Sequence, residues 1–173
     1  MTKTVLPSLV RQRQPIQRRT IADIVLVGLV VGPVVAPFLV EMGLFPLPLI
    51  ANIIYFMGER VCPQPEMSLM LNPPHLMTVC MRCYGVLLAL VTTRLLFIRD
   101  RGTGPYWLNQ YRFKGATIAF LLIWAYLFEM LAEIWGWWDY HNFIVTLFGY
   151  ITGLGIGLFL TPVVYRQPSS SVR

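Results

Sequence analysis

GATIAFLLIWAYLFEMLAEIW, residues Gly115 to Trp135, decides the class of this chain: 21 residues with no basic side chain and two charges, Glu129 and Glu133. A helix rising 1.5 Å per residue covers the ~30 Å hydrocarbon core with about 20 residues, so the stretch reads as a transmembrane helix. Three further runs of this kind lie on either side. Asp23 and Glu41 bracket the uncharged Ile24 to Val40. A second span runs from about Leu76 to Ile98, with Arg82 and Arg94 near its two ends, and the last lies between Asp139 and Arg166. Leu44 to Met57 is a shorter apolar run holding Pro46 and Pro48, and reads as a re-entrant or interfacial helix. The expected fold is an all-α integral membrane protein with four transmembrane helices plus this short one.

Composition agrees. Apolar residues make up 56% of the chain and charged residues 13%, where a soluble domain carries about a quarter. Mean hydropathy is +0.61. The net charge of +6 does not point to nucleic acid, because the basic residues flank apolar spans, where they set topology. Lys3, Arg11, Arg13, Arg18 and Arg19 precede the first span; Arg99, Arg101, Arg112 and Lys114 lie between the second and third; Arg166 and Arg173 follow the fourth. Only Arg60 and Arg82 fall on the other side. Positive-inside bias places both termini in the cytoplasm and the segment around residue 62 outside. The chain divides into a basic cytoplasmic segment (1–20), one four-helix membrane domain (21–165) with an outer loop at 58–83, and a cytoplasmic tail (166–173). The first span reads as a retained anchor, since no small-residue cleavage site follows it.

All three cysteines fall in 22 positions of that loop: Cys62, then Cys80-Met81-Arg82-Cys83. Three chemistries fit them. A disulfide from Cys62 to Cys80 or Cys83 would pin the loop to the second helix. A zinc ion would take the three thiolates, with His75 as a fourth ligand. A redox-active Cys80–Cys83 pair would exploit the helix N-terminus, with Cys62 as resolving thiol. No catalytic Ser/His/Asp set, phosphate-binding glycine loop or paired-histidine motif is present.

Glu129 and Glu133 lie one turn apart on a single helix face, at a depth comparable with Arg82 near the start of the second span. A lone carboxylate in the membrane costs up to ~3 kcal/mol, so an Arg82–Glu133 or Arg82–Glu129 pair is expected. Arg94 is expected to snorkel to the opposite surface. Gly28, Gly32 and Ala36, and Gly149, Gly153 and Gly157, recur every four residues as small faces for close helix packing. Trp135, Trp137, Trp138 and Tyr140 read as one interfacial aromatic belt; Tyr106, Trp107 and Tyr111 read as the other.

The motif Cys80-x-Arg82-Cys83-x-Gly85, preceded by Cys62, Gln64 and Ser68, resembles the bacterial and archaeal membrane-protein family known as domain of unknown function 2085. Its first motif, Cys-His-Gln-x-Pro-x-Arg-Ser, is altered here: Pro63 stands for the His, Met67 for the Arg, and one residue is missing before Pro65. The resemblance implies a small multi-pass protein of the bacterial cytoplasmic or intracytoplasmic membrane with a shared cysteine site, and no activity. Two functions follow as expectations. One is a non-enzymatic accessory subunit of a larger membrane complex, stapled by its cysteine loop and partnered by lipid and other subunits. The alternative is a thiol-redox or metal-binding electron-transfer protein using Cys80 and Cys83.

Overall fold

Helix α1 spans Leu6–Glu41, α2 Leu47–Val61, α3 Met81–Asp100, α4 Phe113–Ile134 and α5 Asn142–Tyr165. A two-stranded antiparallel hairpin, β1 (Met70–Asn72) and β2 (His75–Leu76), precedes α3, and a 3-10 turn at Leu108–Tyr111 precedes α4. These elements come from a computed structural model that describes residues 6–165 except 43, 63, 65, 66 and 138, with side chains from Arg19 onward. The tail 166–173, most side chains of the basic N-terminal segment, Pro63, Pro65 and Trp138 therefore lie outside the described residues.

Among the described residues, four helices are long and apolar enough to cross a membrane: Arg19–Glu41 within α1, then α3, α4 and α5. The chain is thus an all-α membrane protein with one short helix besides. That helix, α2, has 15 residues, about 22 Å of rise, and begins where Pro46 and a proline in its first turn permit a start but no upstream continuation.

Contacts between helix ends fix the directions. Asp23, early in the membrane part of α1, bonds Arg94 near the end of α3, while Val34 of α1 packs against the buried Cys62, Met77, Val79 and Cys80 cluster at the start of α3. These two helices are therefore antiparallel. α3 and α5 run parallel as the closest pair, because glycines let their backbones meet. A Cβ at Gly149 would strike the Arg82 carbonyl; at Gly153 it would lie 2.6 Å from both Ala89 Cβ and the Val86 carbonyl. At Gly157 it would overlap Thr93. α4 lies antiparallel against the same helix: Gly155 faces Ala119 and Leu122, and the Thr152 hydroxyl donates to the Leu122 carbonyl at 3.1 Å. The bundle has two polar ends, one holding Asp23, Arg94 and Tyr165, the other the three cysteines.

The small face of α1 is used only in part. Gly32 meets Ile54 of α2 at 3.7 Å and Ala36 is fully buried, but nothing lies within 4 Å of a Cβ built on Gly28. Arg94 differs from the snorkelling expectation. Its guanidinium is bidentate to Asp23 at 2.7 and 2.8 Å and stacks on Tyr165 at 4.0 Å, and the Tyr165 hydroxyl donates to the same carboxylate at 2.8 Å. Arg19 also donates to the Tyr165 backbone carbonyl, bringing the two ends of the membrane domain together. Trp107 is a second departure. It is fully buried rather than interfacial, because Phe97 meets it edge-on with centroids 5.6 Å apart and Gly115 lets the start of α4 close over the adjoining Leu108.

Candidate functional site

Cys62, Cys80 and Cys83 arrive from three backbone positions at one end of the bundle. Cys62 caps the C-terminus of α2, Cys80 is the N-cap of α3, and Cys83 sits in the first turn of α3. The hairpin between them reverses the chain, and three contacts hold it. Tyr55 of α2 donates to the Leu76 carbonyl at 2.6 Å, and Tyr140, after α4, donates to the Met67 carbonyl at 2.7 Å. Gly58 supplies the third, since a Cβ there would run into the Thr78 carbonyl. Only a glycine lets the end of α2 approach the segment leading into α3.

The three sulfurs lie within 4.8 Å of one another, and all three thiols are free. Cys80 is fully buried and Cys62 nearly so, in an apolar cluster with Met77 and Val79 that Val34, Leu71, Met81 and Tyr84 complete. His75 lies in β2 opposite Asn72 and is not in the group of mutually close ligand atoms among the described residues. The zinc expectation therefore keeps its three sulfurs here without that imidazole.

Cys62 is the hydrogen-bond acceptor of the group. The Cys80 and Cys83 thiols donate to its sulfur and hold its pKa far below the usual thiol range, outweighing burial; the backbone N–H groups of Cys80, at 3.2 Å, and Gln64 add to the effect. The thiol of Cys80 is correspondingly pushed up, first by its hydrogen bond to Cys62. The N-terminus of α3 adds a fixed positive potential at Cys80 and Cys83. Three sulfurs placed ~2.3 Å from one ion stand about 3.8–4.0 Å apart, which this grouping accommodates with small side-chain adjustment.

Arg82, between the two α3 cysteines, points the other way, into α4. Its Nε is 2.5 Å from Glu129 Oε2; its second terminal nitrogen donates to Glu129 Oε1 at 2.9 Å and Glu133 Oε2 at 2.5 Å. The first terminal nitrogen donates to Gln64 Oε1 at 2.7 Å, and the guanidinium lies 5.5 Å from the Tyr126 ring centroid. Arg82 and Glu129 are both fully buried, whereas the Glu133 side chain is 12% exposed. Glu129 is thus the dependent partner. Gln64 links this ion cluster to the cysteine segment, and its backbone faces Cys62. Tyr126 carries no charge and did not stand out in the sequence, whereas Gln64 did so only as a matched position of the altered first motif, two residues after Cys62.

The chain belongs to the family described as predicted membrane protein DUF2085, whose model matches residues 62–159. That stretch opens on Cys62 and takes in the hairpin, α3, α4 and most of α5, hence the whole cysteine and Arg82 constellation. No curated protein and no solved structure matches the chain.

Proposed function

We propose that this chain is a non-enzymatic accessory subunit of a membrane complex, anchored by its four helices, with an outer-face three-thiolate centre that binds a thiophilic metal ion as a structural staple. The observation that carries the reading is the mutual approach of all three sulfurs within 4.8 Å. A disulfide engages two cysteines and gives the third no reason to converge; a shared ion engages all three. The centre joins the end of α2, the hairpin and the start of α3, so ligation offsets the cost of ordering a segment with little helix or strand of its own. Zinc is the default ion for such a staple. The orientation rests on the charge bias, and the accessory role on a chain whose apolar helices leave little water-facing surface for an activity of its own.

The thiol-redox alternative has one observation in its favour. Cys80 and Cys83 lie at the N-cap and in the first turn of α3 with the Cys62 sulfur within 4.8 Å, so Cys62 can resolve a mixed disulfide formed between that pair and a partner's disulfide.

Hydrogen exchange with and without a chelator, on protein purified in mild detergent, tests the staple. Chelation is expected to speed backbone exchange across 58–83 while α4 and α5 stay protected. Unchanged exchange in that segment would show that no metal holds it. Loss of a co-migrating complex on native gels in each cysteine-to-serine variant tests the accessory role.

A further inference from the structure

We propose that the ion held at this centre is copper(I), an inference that rests on the metal-staple reading and adds the identity of the metal. The three cysteines are not the only sulfurs at this end. Residues 62–83 also hold Met67, Met70, Met77 and Met81, four of the eight methionines of the chain. Met77 is 3% exposed and packed in the same cluster as Cys62 and Cys80, and Met81 packs against that cluster from the first position of α3. Met67 and Met70, at and before β1, are exposed.

Coordination number and softness point the same way. A structural zinc site is closed by four ligands, and among the described residues the ligating group ends at three sulfurs, His75 not being part of it. Apolar side chains and thioethers make up most of the packing around the sulfurs, and the polar groups that reach them, such as the Gln64 backbone N–H at Cys62 and the Tyr126 hydroxyl at Cys83, are already engaged by sulfur, which leaves water little support in a fourth position. Thiolates suit zinc and copper(I) alike; a set of three thiolates with thioethers and no imidazole favours copper(I), the softer ion and one satisfied by three sulfurs. The exposed Met67 and Met70 then give an incoming copper(I) ion soft ligands at the rim, and Met77 stands beside the buried thiolates. The ion keeps its oxidation state throughout and exchanges only ligands.

The full chain in detergent, reduced and stripped of metal under anaerobic conditions, is titrated with copper(I) and separately with zinc(II), each against a chromophoric chelator. One copper(I) per chain is expected, with a sulfur-only first shell by X-ray absorption and no displacement by equimolar zinc. Met77→Leu, a volume-conserving change, is expected to weaken copper(I) retention about tenfold and leave zinc retention unaltered. Displacement of copper by zinc, or nitrogen or oxygen in the copper shell, would overturn the copper assignment and leave the staple standing. Binding of neither ion, with a disulfide in the air-exposed protein, would overturn the staple itself. Equal weakening of both ions by Met77→Leu and by Met81→Leu would remove the thioethers from the account.

Discussion

Replacing Arg82 by leucine strands two carboxylates with unequal means of escape. Glu129 is fully buried and loses both contacts to the guanidinium, at 2.5 and 2.9 Å; Glu133 loses one at 2.5 Å but is 12% exposed and can turn towards water. Removing one member of a buried pair costs about 3–5 kcal/mol, because the other is left charged in a low-dielectric site or must take up a proton. Arg82→Leu is therefore expected to destabilise by about that amount. Adding Glu129→Leu removes the stranded charge and should recover at least about 2 kcal/mol, since buried ion pairs replaced whole by apolar residues are often neutral. Adding Glu133→Leu instead should recover about 1 kcal/mol or less, as a carboxylate near water was never fully stranded. The contacts to Gln64 and Tyr126 are lost equally in both double variants and cancel. Reversible unfolding in mixed micelles at fixed pH compares the unaltered protein, the single variants Arg82→Leu, Glu129→Leu and Glu133→Leu, and the two double variants. Additivity within about 0.5 kcal/mol for the Glu129 pair, or a larger recovery from Glu133, would refute the reasoning.

Gly149→Ala should destabilise by about 1–3 kcal/mol, because its Cβ meets the Arg82 carbonyl, while Gly28→Ala, facing open space, should be neutral or stabilising; the same unfolding assay compares them. Gly58→Ala should push the end of α2 off the Thr78 carbonyl and lower metal retention, read by chelator competition, with little change in α3–α5 hydrogen exchange. Arg94→Leu should cost about 1 kcal/mol, as its pair with Asp23 is partly exposed, and should speed exchange in α1 without disturbing the cysteine end.

The spans were legible because lipid imposes one constraint on every residue facing it, and charge-free runs record that constraint directly. Nearly everything missed involves contacts between distant segments. Asp23 and Arg94 are 71 residues apart, and each had a local explanation, as span boundary and as snorkelling cation, that hid the other. The antiparallel order of the first two spans would have placed both at one end of the bundle. Trp107 sits beside basic residues, as belt aromatics do, and only the packing of Phe97, Tyr106 and Leu108 around it shows a buried plug. Gly58 gave no repeat to notice, its role being one close approach to Thr78. At the site, cysteine spacing announced a cluster, and helical depth put Arg82 near Glu129 and Glu133. The division of labour between the two glutamates needed the burial of each.

Intact mass after alkylation without reductant tests the three-thiolate metal centre most directly. Protein purified anaerobically in mild detergent is treated with a small alkylating reagent before and after a strong chelator, and the displaced metal is counted. The account predicts no alkylated cysteine before chelation, three after it, and one metal ion released per chain, with Cys62, Cys80 and Cys83 all modified. One cysteine alkylated at the outset, with the other two joined in a disulfide that survives chelation, would contradict it.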